Sequence, residues 1–135
     1  MNADVLRIVE DQRPFLAKLA WAFGMEDVSA KKALGELNPT ALRNLFSAAN
    51  EASCLEEVLI LLRYQQGRDP RQWPEALVNG IVTRMEQAVK NAGLDSRLAA
   101  DGDRDRAASL IAARFLSSVV RLQRYLHEAG QGGRR

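Results

Sequence analysis

Apolar residues recur at intervals of three and four through most of the chain, and that spacing predicts helices. Over 4–24, Val5, Ile8 and Val9 begin one face, and Phe15, Leu16, Leu19, Ala20 and Phe23 continue it. Pro14 lacks an amide donor and crowds the turn before it, so the segment is a kinked helix or two pieces, with 4–12 as a lead-in and Gly24 as the end. Trp21 falls on the core face or on an exposed shoulder, and the core face is the expectation. The periodicity is weaker over 26–36, which reads as a short helix or helical turn. Asn38 or Thr40, around Pro39, can cap a helix over 40–50 whose apolar positions are Leu42, Leu45, Phe46 and Ala49. Ser53 and Glu56 have capping-box spacing and open a helix over 54–66. This segment carries Leu55 and the run Val58 to Leu62, apolar around most of its circumference. So apolar a rod exposes too much oil at the edge of a small domain, so it is expected to be the central helix. Gly67 is its expected stop.

Residues 67–73 read as a loop around the turn dipeptide Asp69-Pro70, and Pro74 suits the first turn of the next helix. That helix, 74–91, repeats apolar residues at Leu77, Val78, Ile81, Val82, Met85, Ala88 and Val89, and Gly93 stops it. Residues 94–103 read as a linker. The last helix, 103–128, opens at Asp103 or Asp105 and closes at Gly130; the tail beyond, rich in Gly and Arg, is expected to be disordered. Sustained alternation is missing, and no Asn-Gly or Asp-Gly pair joins two alternating runs as a hairpin, so strands are not expected. The pattern predicts an all-α fold, a compact bundle of five to six helices. It forms a single domain over 1–129, followed by the basic tail 130–135.

The last helix has two separate arcs. With about 100° per residue and Arg114 at zero, Ile111, Phe115, Val119, Leu122 and Leu126 spread from about 60° to about 140°. Arg106, Arg114, Arg121 and Arg124 spread from about −80° to 0° on the same wheel. Composition sharpens this picture. The net charge is only +2, so no global field announces a nucleic-acid partner, yet the 19 basic residues comprise 15 Arg and 4 Lys. Arginine offers a flat fork of donors matched to phosphates and carboxylates. Besides the arc on the last helix, Arg43, Arg63, Arg68 and Arg71 lie on or beside the 54–66 helix and its predecessor.

Catalytic and metal chemistry find little support. The single cysteine, Cys54, excludes an internal disulfide and reads as a buried, inert thiol. His127, the one histidine, suits a solvated position near the end of the last helix. Asp101-Gly102-Asp103-Arg104-Asp105 starts like a calcium loop but has Arg106 at the sixth position and Ala112 at the twelfth. Neither a phosphate loop nor a zinc spacing occurs. No catalytic residue, metal or cofactor is expected. Neither a secretory leader nor a run long enough to span a bilayer is seen, so the expected location is the cytoplasm, without a membrane partner.

Two stretches carry a family resemblance. Leu37 through Phe46, with Thr40-Ala41-Leu42-Arg43, resembles the helix start of the small helical subunit of type III CRISPR effector complexes. The Leu-rich helix closing in Tyr64-Gln65-Gln66-Gly67-Arg68 is similar to the same family's "tyrosine, x, x, glycine-arginine" close, and Phe115 through His127 to its last helix. The likeness covers roughly 36–70 and 108–128. It departs at Thr40-Ala41, where the family has a Ser/Thr-Gln pair, and it leaves 70–105 unaligned. The resemblance implies a non-catalytic RNA-binding subunit of a ribonucleoprotein complex in antiviral defence. Its copies would associate along a filament beside other effector subunits and hold the guide RNA–target RNA duplex by its backbone, independent of sequence. Carried over by motif, Arg43 and Arg68 would touch RNA; Arg63 adjoins the second motif. Arg71, Arg114, Arg121 and Arg124 are added by the distribution of charge. Two other readings stay open: a helical protein–protein adaptor without nucleic acid, and a helix-turn-helix DNA binder over 40–66. Glu56 and Glu57 oppose the latter, because they repel phosphate.

Overall fold

The computed structural model describes the backbone of residues 2–132 and the side chains of residues 2–129. Helix α1 spans Ala3–Asp11 and is capped by Asn2, whose side chain accepts the Asp4 amide at 2.8 Å. A break at Gln12 separates it from α2, Arg13–Trp21, which carries Pro14 in its first turn. Proline fits there because the amide it lacks would have had no intrahelical partner. The buried Gln12 side chain accepts from Asn91 Nδ2 at 3.1 Å and ties the break to the end of a later helix. The chain does not stop at Gly24. It widens into a π-helical turn, Ala22–Glu26, and passes so close to its neighbours that a Cβ on Gly24 would lie 3.0 Å from Leu122 Cδ1. Asp27 then caps α3, Val28–Glu36, accepting the Ala30 amide at 3.1 Å.

The remaining elements are α4 (Pro39–Glu51), α5 (Leu55–Arg68), α6 (Glu75–Asn91), α7 (Leu94–Arg97) and α8 (Asp101–Gly132). Among the described residues this makes 7 helices of nine residues or more, not five to six, with α7 a single turn besides. The extra helix comes from the full break at Gln12, which the periodicity left open as a kink. Gly67 is not a stop either: α5 continues through it to Arg68. Gly93 is one, at φ 60°, the left-handed conformation glycine tolerates best. The capping box at Ser53 does not form. Cys54 precedes the helix with an extended backbone, and the Ser53 hydroxyl bonds Glu57 instead. The tail expected to be disordered, 130–135, has backbone described only to Gly132, where α8 ends; residues 133–135 lie outside the described residues.

The centre of the bundle is α8, not α5. Helix α8 touches every other helix and the π-helical turn. Residues Ala107 to Ala113 are all buried, so this part of α8 is enclosed on every side. Four alanines and a serine in that stretch are small enough to let neighbouring helices approach on all faces. Helix α5 buries only Val58 and Leu62, and Ile60 is 69% exposed. Within the core, Phe23 meets Phe115 edge to face at 6.1 Å, and its ring fills the place where a Cβ of Gly80 would sit, 2.6 Å from Phe23 Cε1. The loop after α5 contributes a core residue of its own: Trp73 is 1% exposed.

Two corners are closed by side chains of distant elements. At the turn from α3 to α4, the buried Gln123 of α8 donates through Nε2 to the carbonyls of Leu34 (3.1 Å) and Leu37 (2.8 Å). The Asn38 amide, which would otherwise extend α3, donates to Gln72 Oε1 at 2.6 Å, and the Asn38 side chain caps α4 at Thr40. At the other end of α4, Arg106 donates to the carbonyls of Ala52 (2.7 Å) and Asn50 (3.0 Å), and Ser109 Oγ donates to Ala52 O at 2.8 Å. Carbonyls at a helix C-terminus lack intrahelical donors, and a cation there also meets the negative end of the dipole. Arg106 therefore leaves the exposed arc on which the helical wheel put it. Among the described residues, no helix is long and apolar enough to cross a membrane.

Candidate nucleic-acid interface

The C-terminal half of α8 is held against two walls. On one side stands the start of α4, placed by the Gln123 and Gln72 contacts at the α3–α4 corner. Between them lies a groove of about 390 Å³ lined by Pro39, Arg43, Arg121, Arg124, His127 and Glu128, among others. On the other side stand the end of α1 and the start of α2. The groove there is about 730 Å³ and is lined by Glu10, Arg13, Arg114, Ser117, Ser118 and Arg121. Arg121 belongs to both, so the two grooves meet across α8. From Arg114 to Arg124 the axis advances about 15 Å, long enough to follow several phosphates of one strand.

The arginines differ in how far they are committed. Arg114 donates to Glu10 Oε1 at 3.0 Å, and Glu10 also takes Arg13 at 3.3 Å. Arg124 pairs with Glu128, one turn on, at 3.2 Å. These pairs are solvent-exposed, and such pairs contribute about 0–1 kcal/mol, little enough for a phosphate to displace the carboxylate. Arg43 reaches only the Thr40 hydroxyl, at 3.5 Å. Among the described residues, Arg121 has neither a carboxylate within 4.0 Å nor a hydrogen bond from its side chain.

Three of the seven expected residues, Arg43, Arg121 and Arg124, thus share one groove, and Arg114 joins Arg121 in the other. The remaining three line neither. Arg63 lies on the seam of α5 and α6, donating to Gln66 Oε1 at 3.0 Å and to Asn79 Oδ1 at 3.4 Å. Arg68 closes α5 and Arg71 follows in the loop; both are exposed, without a carboxylate partner among the described residues. Gln72 brings that loop to the start of α4, at the outer rim of the first groove.

Periodicity did not single out three groups at this surface. Arg13 precedes Pro14 and was hidden by the uncertain break there. Trp21, expected in the core, is 53% exposed and shares a small depression with Arg121. His127, expected in solvent, is half-buried in the α4 groove, where its Nε2 is shielded from water and has no hydrogen-bond partner among the described residues. The helix runs on past His127, so this residue is not in the final turn. Cys54, expected to be buried, is only half-buried. Among the described residues, no group of three His, Cys, Asp or Glu side chains is placed to hold a metal ion.

Compared with protein-family models, with curated proteins and with solved structures, the chain matches none.

Proposed function

We propose that this chain is a non-catalytic small subunit of a type III CRISPR effector complex. In this reading it holds a guide RNA–target RNA duplex through backbone phosphates, with other effector subunits and further copies of itself as neighbours. The observation that carries the reading is the meeting of Arg43 and Arg121. Arg43 comes from the stretch that resembles the family's helix start, and Arg121 from an independent arc on α8. They line one groove, and neither has a carboxylate partner among the described residues. Arg124 adds a third guanidinium, and Arg114 extends the track on the far side of α8. Phosphate contacts of this kind fix position without reading sequence. Arg63, Arg68 and Arg71 form a second, separate set that the same backbone can reach from another side or another copy. A cytoplasmic location goes with this reading.

The test is RNA binding by the free protein at several salt concentrations. Removing one phosphate-binding side chain should flatten the slope of log affinity against log salt by about 0.7 for a single strand. The triple variant R43A/R121A/R124A should bind more weakly for every sequence, with a slope shallower by about 2. Wild-type affinity for RNA in the triple variant at low salt would remove this groove as the site.

A second reading, a protein–protein adaptor, draws on Ile60 and Tyr64. They stand one turn apart on the outer face of α5 and are exposed. An apolar partner helix could cover them. Binding there would be nearly indifferent to salt and to the triple variant.

A further inference from the structure

We propose that Trp21 is a stacking platform for a nucleobase that lies outside a duplex, with Arg121 holding an adjacent phosphate. The inference rests on the RNA-binding reading above and gives that surface a second kind of contact. Trp21 ends α2, directly before the π-helical turn, and is 53% exposed although it is one of the two largest side chains in the protein. The other, Trp73, is fully buried, so the core did not lack room for an indole. Trp21 lines a depression of about 230 Å³ together with Ala17, Ala20, Ser118, Arg121 and Leu122. The lining of the depression therefore combines small apolar groups with an indole and a guanidinium. This is the combination that single-stranded nucleic acids recognise: a π-face for the base and a guanidinium for the phosphate beside it. A phosphate-only partner has no use for the indole, and an acidic peptide would not select it. Inside a continuous duplex the bases are stacked on one another and cannot reach it. At Arg121, where the two grooves meet, the arginine track thus borders a place for an unpaired base.

Trp21 also reports its own occupancy. Emission from the exposed indole should be quenched by a stacked base, whereas the buried Trp73 is out of reach. Full-length protein is titrated with a short oligouridylate, with a perfectly paired RNA duplex and with inorganic polyphosphate. The oligouridylate should quench; the duplex and the polyphosphate should bind through the arginines without quenching. W21A should lose about tenfold in affinity for the oligouridylate and none for polyphosphate, and W21F should keep most of it. Emission of Trp73 checks that both variants are folded. If the oligouridylate binds the wild type by anisotropy but leaves Trp21 emission unchanged, or binds W21A equally well, stacking is refuted while phosphate binding stands. If none of the three ligands binds, the RNA reading itself falls, and this inference with it. A blue shift of Trp21 that grows with protein concentration alone would assign the face to a second copy and overturn the proposal.

Discussion

Replacing Gln123 by Met should cost this protein about 2–6 kcal/mol of stability, a large share of the roughly 5–15 kcal/mol typical of a domain. Methionine keeps the length and nearly the volume of glutamine, so packing changes little. What disappears is the amide that donates to both Leu34 O and Leu37 O. Gln123 is 2% exposed, so water does not replace it. The Leu34 carbonyl has no helical donor in reserve, because the Asn38 amide is already bonded to Gln72. Two buried acceptors are left without a donor, at about 1–3 kcal/mol each. The Gln72 bond at the same corner supplies the control. It is solvent-exposed, and water can satisfy the Asn38 amide, so Q72A should cost only about 0.5–1 kcal/mol. Urea unfolding followed by Trp73 emission would show the difference as a lower midpoint at unchanged slope, and thermal unfolding as a fall on the order of 10 °C. Q123M within about 0.5 kcal/mol of wild type, or Q72A as costly as Q123M, would refute the claim that burial separates the two bonds.

The glycines divide in the same way. Gly80→Ala places a methyl 2.6 Å from the ring of Phe23, so it should destabilise by about 1–3 kcal/mol despite the gain in helix propensity. Gly67→Ala meets nothing within 4 Å inside α5 and should stabilise by up to about 1 kcal/mol; both are read from denaturant midpoints. Arg106→Met removes two charge-assisted bonds to the end of α4 and should cost about 1.5–3 kcal/mol. Because Arg106 is turned inward, the same variant should bind RNA with wild-type affinity and salt slope, measured where the variant remains folded.

Helical periodicity was enough to place nearly every helix within a few residues, because a rod with one face in a core must repeat its apolar residues every three or four positions. Proline, glycine and Asn38 marked some of the ends through their local backbone chemistry, as at Pro39, Gly93 and the cap of α4, whereas the helices run on through Gly24 and Gly67. Which helix stands in the middle was not written in that pattern. Hydrophobicity favoured the leucine-rich 54–66 segment, whereas enclosure on all sides depends on small residues that let neighbours come close, and those lie in α8. The direction of each arginine was equally out of reach. Arg106 and Arg124 fall on one arc of the wheel, yet one closes α4 from inside and the other stays at the surface, because only the first has carbonyls waiting opposite it. A groove shared by Arg43 and Arg121 needs two helices far apart in sequence to lie side by side. That pairing is made by the fold, through contacts such as Gln123 with the α3–α4 corner, and no local spacing encodes it.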